Sequence, residues 1–535
     1  MSSEQTAFAT VDRGTATVAV ALVRRVGARW RLLGSTAGPA GVPEEALLER
    51  LRARLAAADP SLAADLGLGS RGAAADIPRL ACTTPPAPEI AVVAATQRVL
   101  DPLVAAASTA GWRVRPLVLD GAEILGVATA LADPRVGAIL AGASDPPGAD
   151  ERPLIADMGA LVAAMTERRP DLVTVLAGGL AEPGGRIEGL FRPDRPGPTV
   201  LAPSPAAGGG EPLRSLLDSL RGGTQDGRRA LVAATGTLAD ILQRRIEVVE
   251  IGQAGATRAA AAWTAGADAV PRVAIVPEAA LLPRSFADGH LDGVMGWLTV
   301  PLDRLRVRDR LRDLALVPWG DAAGEGALLR LAAARAALER LVAATQSFDR
   351  YPGPDLVIAA GGAWNAVPGP VVALALADVL RRPGVRAAGL DHARLLAPLG
   401  TIEDVEERRS VMADLREDLL VPLGSVVMPA GLRPGRPAGR LVVRGAGGPA
   451  ELALVPGGLE LVDLPPGERA VVELELRDPV RLGLRTRHVT MEVAGGLGGL
   501  LVDLREVPLQ LPERLERRRE VLASWQAALW PEFEA

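Results

Sequence analysis

The sequence predicts an α/β fold that ends in a mostly β-structured region. Between about residues 89 and 250, short apolar strands alternate with helical stretches and Gly/Pro turns, a pattern typical of a largely parallel sheet. After about residue 420 the pattern changes to short alternating strands separated by turns rich in Gly and Pro. With 535 residues, 48% of them hydrophobic, the chain is long and apolar enough for several domains.

The composition excludes several classes of function. The sequence contains no lysine, so its 59 basic residues are all arginine, which excludes a Walker A loop and a Schiff-base lysine. A single cysteine and three histidines far apart in the chain argue against a Cys/His zinc site. A net charge of −5 with 3% aromatic residues predicts that nucleic acid is not a partner.

The same sequence gives an expectation about compartment. We find no apolar run of the roughly 18 residues needed to cross a bilayer. The polar, acidic start of the sequence lacks the features of a signal peptide. Cys82 has no second cysteine with which to form an internal disulfide, which suits a reducing compartment. We therefore expect a cytoplasmic protein that has no membrane partner.

A polar turn near the N-terminus carries the first candidate binding residues. Its sequence, ATVDRGTATVAVALV, predicts two apolar strands joined by a turn that contains Asp12, Gly14, Thr15 and Thr17. Glycine lets a backbone N–H approach an anion, threonine hydroxyls can donate beside it, and a carboxylate is a ligand for Mg²⁺. The turn is a candidate cradle for Mg²⁺ and phosphate, although the same residue types are common in ordinary polar turns.

Two later segments carry related patterns. Residues 247–263, EVVEIGQAGATRAAAAW, again place an acid and a Gly/Thr turn between apolar runs. Residues 355–370 predict a buried strand that ends in a glycine pair, followed by a helix whose start is marked by proline. The candidate nucleotide-binding residues in these segments are Glu250, Gly252, Gly255, Thr257, Gly361 and Gly362.

Two acid–glycine–threonine hairpins followed by a strand, a glycine pair and a helix resemble the actin/hexokinase/Hsp70 ATPase superfamily. The resemblance implies a two-lobed, actin-like (ribonuclease H-like) ATPase fold with the β-rich C-terminal module added to it. In that superfamily each lobe contributes one phosphate hairpin, and the glycine pair packs against the adenosine. ATP and Mg²⁺ are therefore the implied cofactors, with Asp12 as the Mg²⁺ ligand and with Asp12 and Glu250 as the catalytic carboxylates.

Several motifs are similar to those of the MutL-type accessory protein of glutamate mutase, which is unrelated to the mismatch-repair protein of that name. The family's D-x-G-S-T-x-T resembles DRGTAT, and its P-D-x-x-x-L-A-G-G resembles PDLVTVLAGG with Gly178 and Gly179. Its D-x-x-x-L-x-P-L-G and its G-G-x-x-G-L-x-x-D-x-R are similar to DHARLLAPLG and GGLGGLLVDLR. The resemblance implies a reactivating chaperone whose partners are the subunits of an adenosylcobalamin-dependent mutase such as glutamate mutase; a homodimer is left open.

Two residues depart from the second hairpin of that family, which resembles D-x-G-G-A-T-T-D. Glu250 replaces the first aspartate, and Arg258 takes the place of the last one. The extra methylene of Glu250 moves its carboxylate by about one bond length, and misplacement on the order of 1 Å can cost roughly 100-fold in rate. Arg258 supplies a planar cation that could bind phosphate oxygens. We therefore expect tight ATP binding and, at most, a slow Mg-dependent ATPase.

The motifs and the change of pattern near residue 420 divide the chain into four predicted segments. Residues 1–243 form the first lobe, with the first hairpin and an α/β insertion, and residues 244–419 form the second lobe, with the second hairpin and the glycine pair. Residues 420–510 form the β-rich module, and residues 511–535 form a C-terminal helix.

Two other functions stay open from the sequence. A sugar-type kinase of the same fold needs an aspartate base at a recognisable motif, and we find none. A non-catalytic actin-like scaffold would follow if hydrolysis was lost with the second aspartate. The stretch DGHLDG also matches the D-x-H-x-x-G motif that binds cobalt, at His290. Because no S-x-L follows at a suitable distance, we expect no direct cobalamin binding.

Overall fold

The chain divides into two compact units in this computed structural model. The first unit contains Met1–Pro85, Gln225–Val273 and Ala279–Ala535, and the second contains Pro86–Thr224 and Ala274–Glu278. The larger part of the second unit, Pro86–Thr224, therefore lies within residues 1–243, where the sequence predicts an α/β insertion, whereas Ala274–Glu278 belongs to the predicted second lobe. The structure describes residues 6–60, 77–84, 86, 88–180, 199–221, 226–266, 269, 271–282, 288–317, 324–364, 367–527 and 529.

Strands and helices alternate along most of the described chain. The strands are β1 Ala7–Arg13, β2 Thr17–Val26, β3 Arg29–Pro39, β4 Arg79–Thr83, β5 Glu89–Ala94, β6 Arg113–Val118, β7 Val136–Ala143, β8 Val173–Gly178, β9 Thr199–Ala202, β10 Arg245–Gly252, β11 Gly255–Ala262, β12 Arg272–Val276, β13 Leu356–Ala360, β14 Gly384–Leu390, β15 Val421–Met428, β16 Gly439–Gly445, β17 Gly448–Leu454, β18 Leu459–Val462, β19 Arg469–Leu482, β20 Leu484–Ala494 and β21 Leu500–Asp503. The α-helices are α1 Glu44–Ala58, α2 Gln97–Thr109, α3 Ile124–Leu131, α4 Glu151–Arg168, α5 Glu211–Arg221, α6 Gly227–Leu242, α7 Asp288–Gly296, α8 Arg304–Leu316, α9 Gly324–Ala344, α10 Gly369–Val379, α11 Leu396–Gly400, α12 Val405–Asp414 and α13 Leu515–Ala527. In the described part of the chain, none of these helices has the length and apolar character that crossing a membrane requires.

The N-terminal sheet of the first unit has the strand order β3-β2-β1-β4. The β1–β2 hairpin predicted for residues 9–23 is confirmed, and β4 pairs parallel to β1. Period-2 alternation puts Val11 and Val20 on one face, where they pack with Leu47 of α1. The opposite face presents Phe8 and Val23 to a larger core. Because apolar residues cover both faces of this sheet, its strands β1 and β2 are apolar along most of their length.

A second sheet in the same unit repeats this arrangement. β10 and β11 form an antiparallel hairpin, β13 pairs parallel to β10, and β14 pairs parallel to β13. In each of the two sheets, the first strand of a hairpin pairs with the second strand of the hairpin on one side and with a later, parallel strand on the other. This arrangement is thus present twice in the first unit. This duplicated ribonuclease H-like arrangement is the predicted actin-like fold.

The N-terminal sheet and the sheet that contains β10, β11, β13 and β14 share a core that includes helices α6 and α11. Leu231 and Leu238 of α6, and Leu399 of α11, are buried with Phe8 of β1 and Ile358 of β13. This shared core holds the two lobes of the first unit against common helices.

The C-terminal region is β-structured, and it is divided between two sheets. Strands β16, β17, β19 and β20 form a sheet with the order β17-β16-β19-β20. Strands β15, β21 and β18 instead continue the second lobe's sheet beyond β14. β14 would otherwise present an edge with unpaired backbone groups, and antiparallel pairing with β15 satisfies them. The β-rich module is therefore partly continuous with the second lobe.

The second unit is built on a parallel sheet with the order β6-β5-β7-β8-β9. Its faces are covered by two separate apolar clusters, one including Leu103 and Leu217, and the other including Leu131 and Met158. Parallel strands covered on both faces are expected to read as continuous apolar runs. The parallel α/β pattern predicted after residue 89 is confirmed for this unit.

Candidate nucleotide site

The three sequence motifs of the first unit lie around one pocket. The β1–β2 turn, the β10–β11 turn and the glycine pair after β13 contribute to its lining. Its empty volume is about 620 Å³, a figure that includes space open to solvent. Of the predicted site residues, Gly14, Thr15, Thr17, Glu250, Gly252, Gly255, Gly361 and Gly362 line the pocket. Asp12 and Thr257 are buried beside it.

Glycine is required where the strand β13 turns into the pocket. Gly361 has a φ of +91°, and a Cβ atom there would lie 2.5 Å from the carbonyl oxygen of Ile251 in β10. Both the backbone conformation and this close approach favour glycine. The next residue, Gly362, lies against the first hairpin, because its Cβ position is 3.3 Å from Thr17 Oγ1. The glycine pair therefore meets both hairpins.

A buried ion pair links the first hairpin to the segment between β14 and α11. Arg394 Nε donates to Asp12 Oδ2 at 2.6 Å, and Arg394 Nη1 donates to Thr17 Oγ1 at 2.6 Å. The other carboxylate oxygen, Asp12 Oδ1, accepts a 3.5 Å hydrogen bond from Cys82 Sγ on the neighbouring strand β4. Burial and the nearby Asp12 carboxylate raise the pKa of Cys82, which keeps the thiol protonated as a donor. Asp12 is thus held by two partners.

The turn that carries Arg394 is fixed by Asp391. The Asp391 carboxylate accepts from the backbone N–H of Leu395 at 2.9 Å and from that of Leu396 at 3.3 Å. Arg394 itself has a φ of +56°, an unusual conformation for a residue other than glycine. Burial raises the pKa of Asp391 to about 7. These contacts set the direction of the Arg394 side chain.

Glu250 lies on the pocket side of the second hairpin, where it pairs with Thr257 across β10 and β11. Burial raises the pKa of Glu250, while the positive charge of Arg228 opposes this rise. The carboxyl therefore holds its proton to a higher pH than an exposed glutamate would.

Arg258 lies on the other side of the second hairpin. Its Nε donates to Glu247 Oε1 at 3.0 Å and its Nη1 donates to Thr345 Oγ1 at 2.8 Å, with the side chain buried. Consecutive residues of a strand face opposite sides, so Thr257 beside the pocket turns Arg258 away from it. The expectation that Arg258 binds phosphate was wrong, because its buried side chain lies on the face of the hairpin opposite to Glu250 and the pocket.

The cations at the pocket are different arginines that the sequence did not single out. Among the described residues, the charged side chains of the lining are Arg228, Arg330, Arg394 and Glu250. Three of these four side chains are arginines, whose guanidinium groups suit an anionic ligand. Arg394 lies in the stretch DHARLLAPLG, which resembles the family motif D-x-x-x-L-x-P-L-G. This resemblance was the indication in the sequence that Arg394 could belong to the site. Nothing local in the sequence distinguishes Arg228 or Arg330.

The residues around Asp12 allow a test of whether Mg²⁺ fits there. A Mg²⁺ ion requires oxygen ligands at about 2.0–2.1 Å in near-octahedral geometry. Arg394 Nε donates to one carboxylate oxygen of Asp12, and Cys82 Sγ donates to the other. The present arrangement therefore does not fit Mg²⁺ at Asp12.

Comparison with known proteins gives weak likenesses only. No family model matches the chain, and no curated protein matches it. The nucleotide-free structure of acetone carboxylase, an enzyme of ATP-dependent acetone carboxylation, is 13% identical, with 74% of this chain and 70% of that chain covered and a TM-score of 0.31. A carbohydrate kinase from Novosphingobium aromaticivorans is 14% identical, with coverages of 77% and 99% and a TM-score of 0.23. A PilM–PilN complex of type IV pilus biogenesis is 11% identical, with coverages of 76% and 96% and a TM-score of 0.20. At these scores the likenesses carry no functional argument, and the actin-like assignment comes from the strand order of this chain.

Proposed function

We propose that the protein binds ATP in the pocket between its two hairpins. The observation that carries this proposal is the meeting of Thr17, Gly362 and the Gly252–Gly255 turn at one pocket with an excess of arginine. Small residues on the turns leave space for phosphates, and the arginines supply positive charge. Apolar lining at Leu281 and Leu314 can cover the less polar part of a nucleotide.

Slow turnover follows from the two carboxylates near this pocket. Asp12 is engaged by Arg394, so it is not free to orient an attacking water. Glu250 faces the pocket, but its raised pKa keeps a larger fraction of it protonated and thus unable to accept a proton from water. The proposed activity is therefore tight nucleotide binding with slow hydrolysis, which suits a switch better than a metabolic kinase.

The finer proposal concerns the partner. The resemblance of several motifs to the MutL-type accessory protein of glutamate mutase supports a role as a reactivating chaperone for an adenosylcobalamin-dependent mutase. A slow nucleotide switch fits such a role, because the bound nucleotide can report on the state of the partner. The Arg394–Asp12 ion pair favours a second candidate, a non-catalytic scaffold, since it occupies a carboxylate that hydrolysis would use.

Calorimetric titration of the full chain with ATP and with ADP tests the first proposal. Thr17→Val removes a hydroxyl in the pocket and should weaken ATP binding. Thr129→Val is a matched control, because this threonine is exposed on α3, where its hydroxyl donates to Leu125 O at 2.8 Å. Absence of binding under every condition would contradict nucleotide binding and leave the scaffold. Recovery of an inactivated adenosylcobalamin-dependent mutase on adding the protein with ATP tests the partner.

A further inference from the structure

We propose that Arg394 takes the place of the divalent cation at this pocket, so that nucleotide binds without Mg²⁺. The proposal rests on nucleotide binding as proposed above and specifies its chemistry. Arg394 lines the pocket and is also bonded to Asp12, the residue on which a Mg²⁺ ion would be expected to depend. One side chain thus neutralises this carboxylate and presents positive charge to the ligand.

The guanidinium geometry leaves donors for a phosphate group. An arginine side chain has five N–H donors in a planar fork. Nε of Arg394 is bonded to Asp12 and Nη1 to Thr17, which orients the plane of the group. The remaining nitrogen, Nη2, lies beside Gly14, 3.2 Å from the position of a Cβ atom there. Gly14 therefore provides the space that the guanidinium uses, while its own N–H donates to Thr17 O at 2.8 Å.

Arg394 is held firmly enough to act as a fixed cation. Its side chain is only 6% exposed, and its turn is fastened by the hydrogen bonds from Leu395 and Leu396 to Asp391. The turn leads directly into α11, which packs against α6 in the core of the first unit. Moving Arg394 aside to admit Mg²⁺ would break its bonds to Asp12 and Thr17 and leave a buried guanidinium without its anionic partner, a costly arrangement.

The charges around the pocket favour the free nucleotide over its Mg²⁺ complex. The described lining combines Arg228, Arg330 and Arg394 with Glu250, and Asp12 lies just behind Arg394. Three of the four charged side chains in this lining are therefore cationic before any metal is added. Free ATP carries more negative charge than its Mg²⁺ complex, and a bound Mg²⁺ ion would approach arginines of the same sign.

The experiment compares ATP binding by the unmodified full chain in excess EDTA and in excess Mg²⁺. We expect the affinity in EDTA to equal or exceed that in Mg²⁺. Binding that requires Mg²⁺, with at least a tenfold weaker affinity in EDTA, would overturn the proposal while leaving nucleotide binding intact. If ATP binds under neither condition, the proposed function fails instead, so the two failures are distinguishable.

Two variants test the role of Arg394 itself. Arg394→Asn suits the positive φ at this position and should lower the affinity for ATP in EDTA by at least about tenfold, the loss of a charge-assisted hydrogen bond. Because this change frees Asp12, added Mg²⁺ should restore part of the affinity, and the double variant Asp12→Asn/Arg394→Asn should lose that restoration. Arg469→Asn, at an arginine that is 72% exposed on β19, is the matched control.

Unchanged affinity of Arg394→Asn in EDTA would overturn the role of this side chain. Circular dichroism on heating shows whether each variant folds. If Arg394→Asn does not fold, the comparison of EDTA with Mg²⁺ on the unmodified chain still decides the proposal.

Discussion

The hydroxyl oxygen of Thr17 lies 3.3 Å from the position that a Cβ atom would take on Gly362, although the two residues belong to different lobes of the first unit. This contact joins the β1–β2 hairpin to the glycine turn that follows β13. The adjacent glycine, Gly361, meets Ile251 of the second hairpin. One pair of glycines therefore sets the spacing between both hairpins.

The two glycines should respond differently to substitution by alanine. Gly361→Ala introduces a side chain at a φ of +91° and 2.5 Å from Ile251 O, so it should lower the free energy of unfolding by about 2 kcal/mol or more. Gly362→Ala has no positive φ to oppose it and meets only the movable Thr17 side chain. It should keep the fold and weaken ATP binding. Denaturant unfolding and calorimetric titration separate the two effects, and equal destabilisation by both changes would contradict this account.

Arg258 should matter for stability and not for nucleotide affinity. Its guanidinium is 3.0 Å from Glu247 in a buried pair, and removal of one member of such a pair costs about 3–5 kcal/mol. We expect Arg258→Gln to lower the denaturation midpoint strongly while the folded protein keeps its ATP affinity. The double variant Glu247→Gln/Arg258→Gln should recover part of the stability. A loss of ATP affinity without destabilisation would contradict this expectation and would indicate that Arg258 contacts the nucleotide.

The local patterns predicted the hairpins and the glycine turn because these depend on neighbours in sequence. Alternating apolar residues specify strands, and a glycine pair after a buried strand specifies a tight turn. The alternation also implied that Thr257 and Arg258 face opposite sides, a signal present in the sequence. The Arg394–Asp12 contact joins residues 382 positions apart, so no local pattern reveals it. The pairing of β15 with β14 is also non-local and depends on which sheet edge is open.

Asp391 should make the stability depend on pH. Its pKa is raised to about 7 in the folded protein from an ordinary value of 3.8. Between these values the folded state binds the proton and the unfolded state does not, so stability should fall as pH rises from about 4 to 7. Asp391→Asn removes this titration. We expect the stability of the variant, relative to the unmodified chain, to be higher at pH 8 than at pH 5, measured by denaturant unfolding. A difference in stability that is the same at both pH values would contradict the assignment.

Glu250 should control the pH dependence of the slow ATP hydrolysis. Only its ionised form can accept a proton from water, and burial raises its pKa above the ordinary 4.5. The single-turnover rate of phosphate release should therefore rise with pH through a range that lies above the ordinary pKa of 4.5, and Glu250→Gln should remove most of the rate together with this dependence. Arg228 opposes the raised pKa, so Arg228→Gln should move the profile to higher pH. Glu278→Gln, on a segment of the second unit, serves as the control variant. Fast hydrolysis by the unmodified protein, unaffected by Glu250→Gln, would show that another group activates the water.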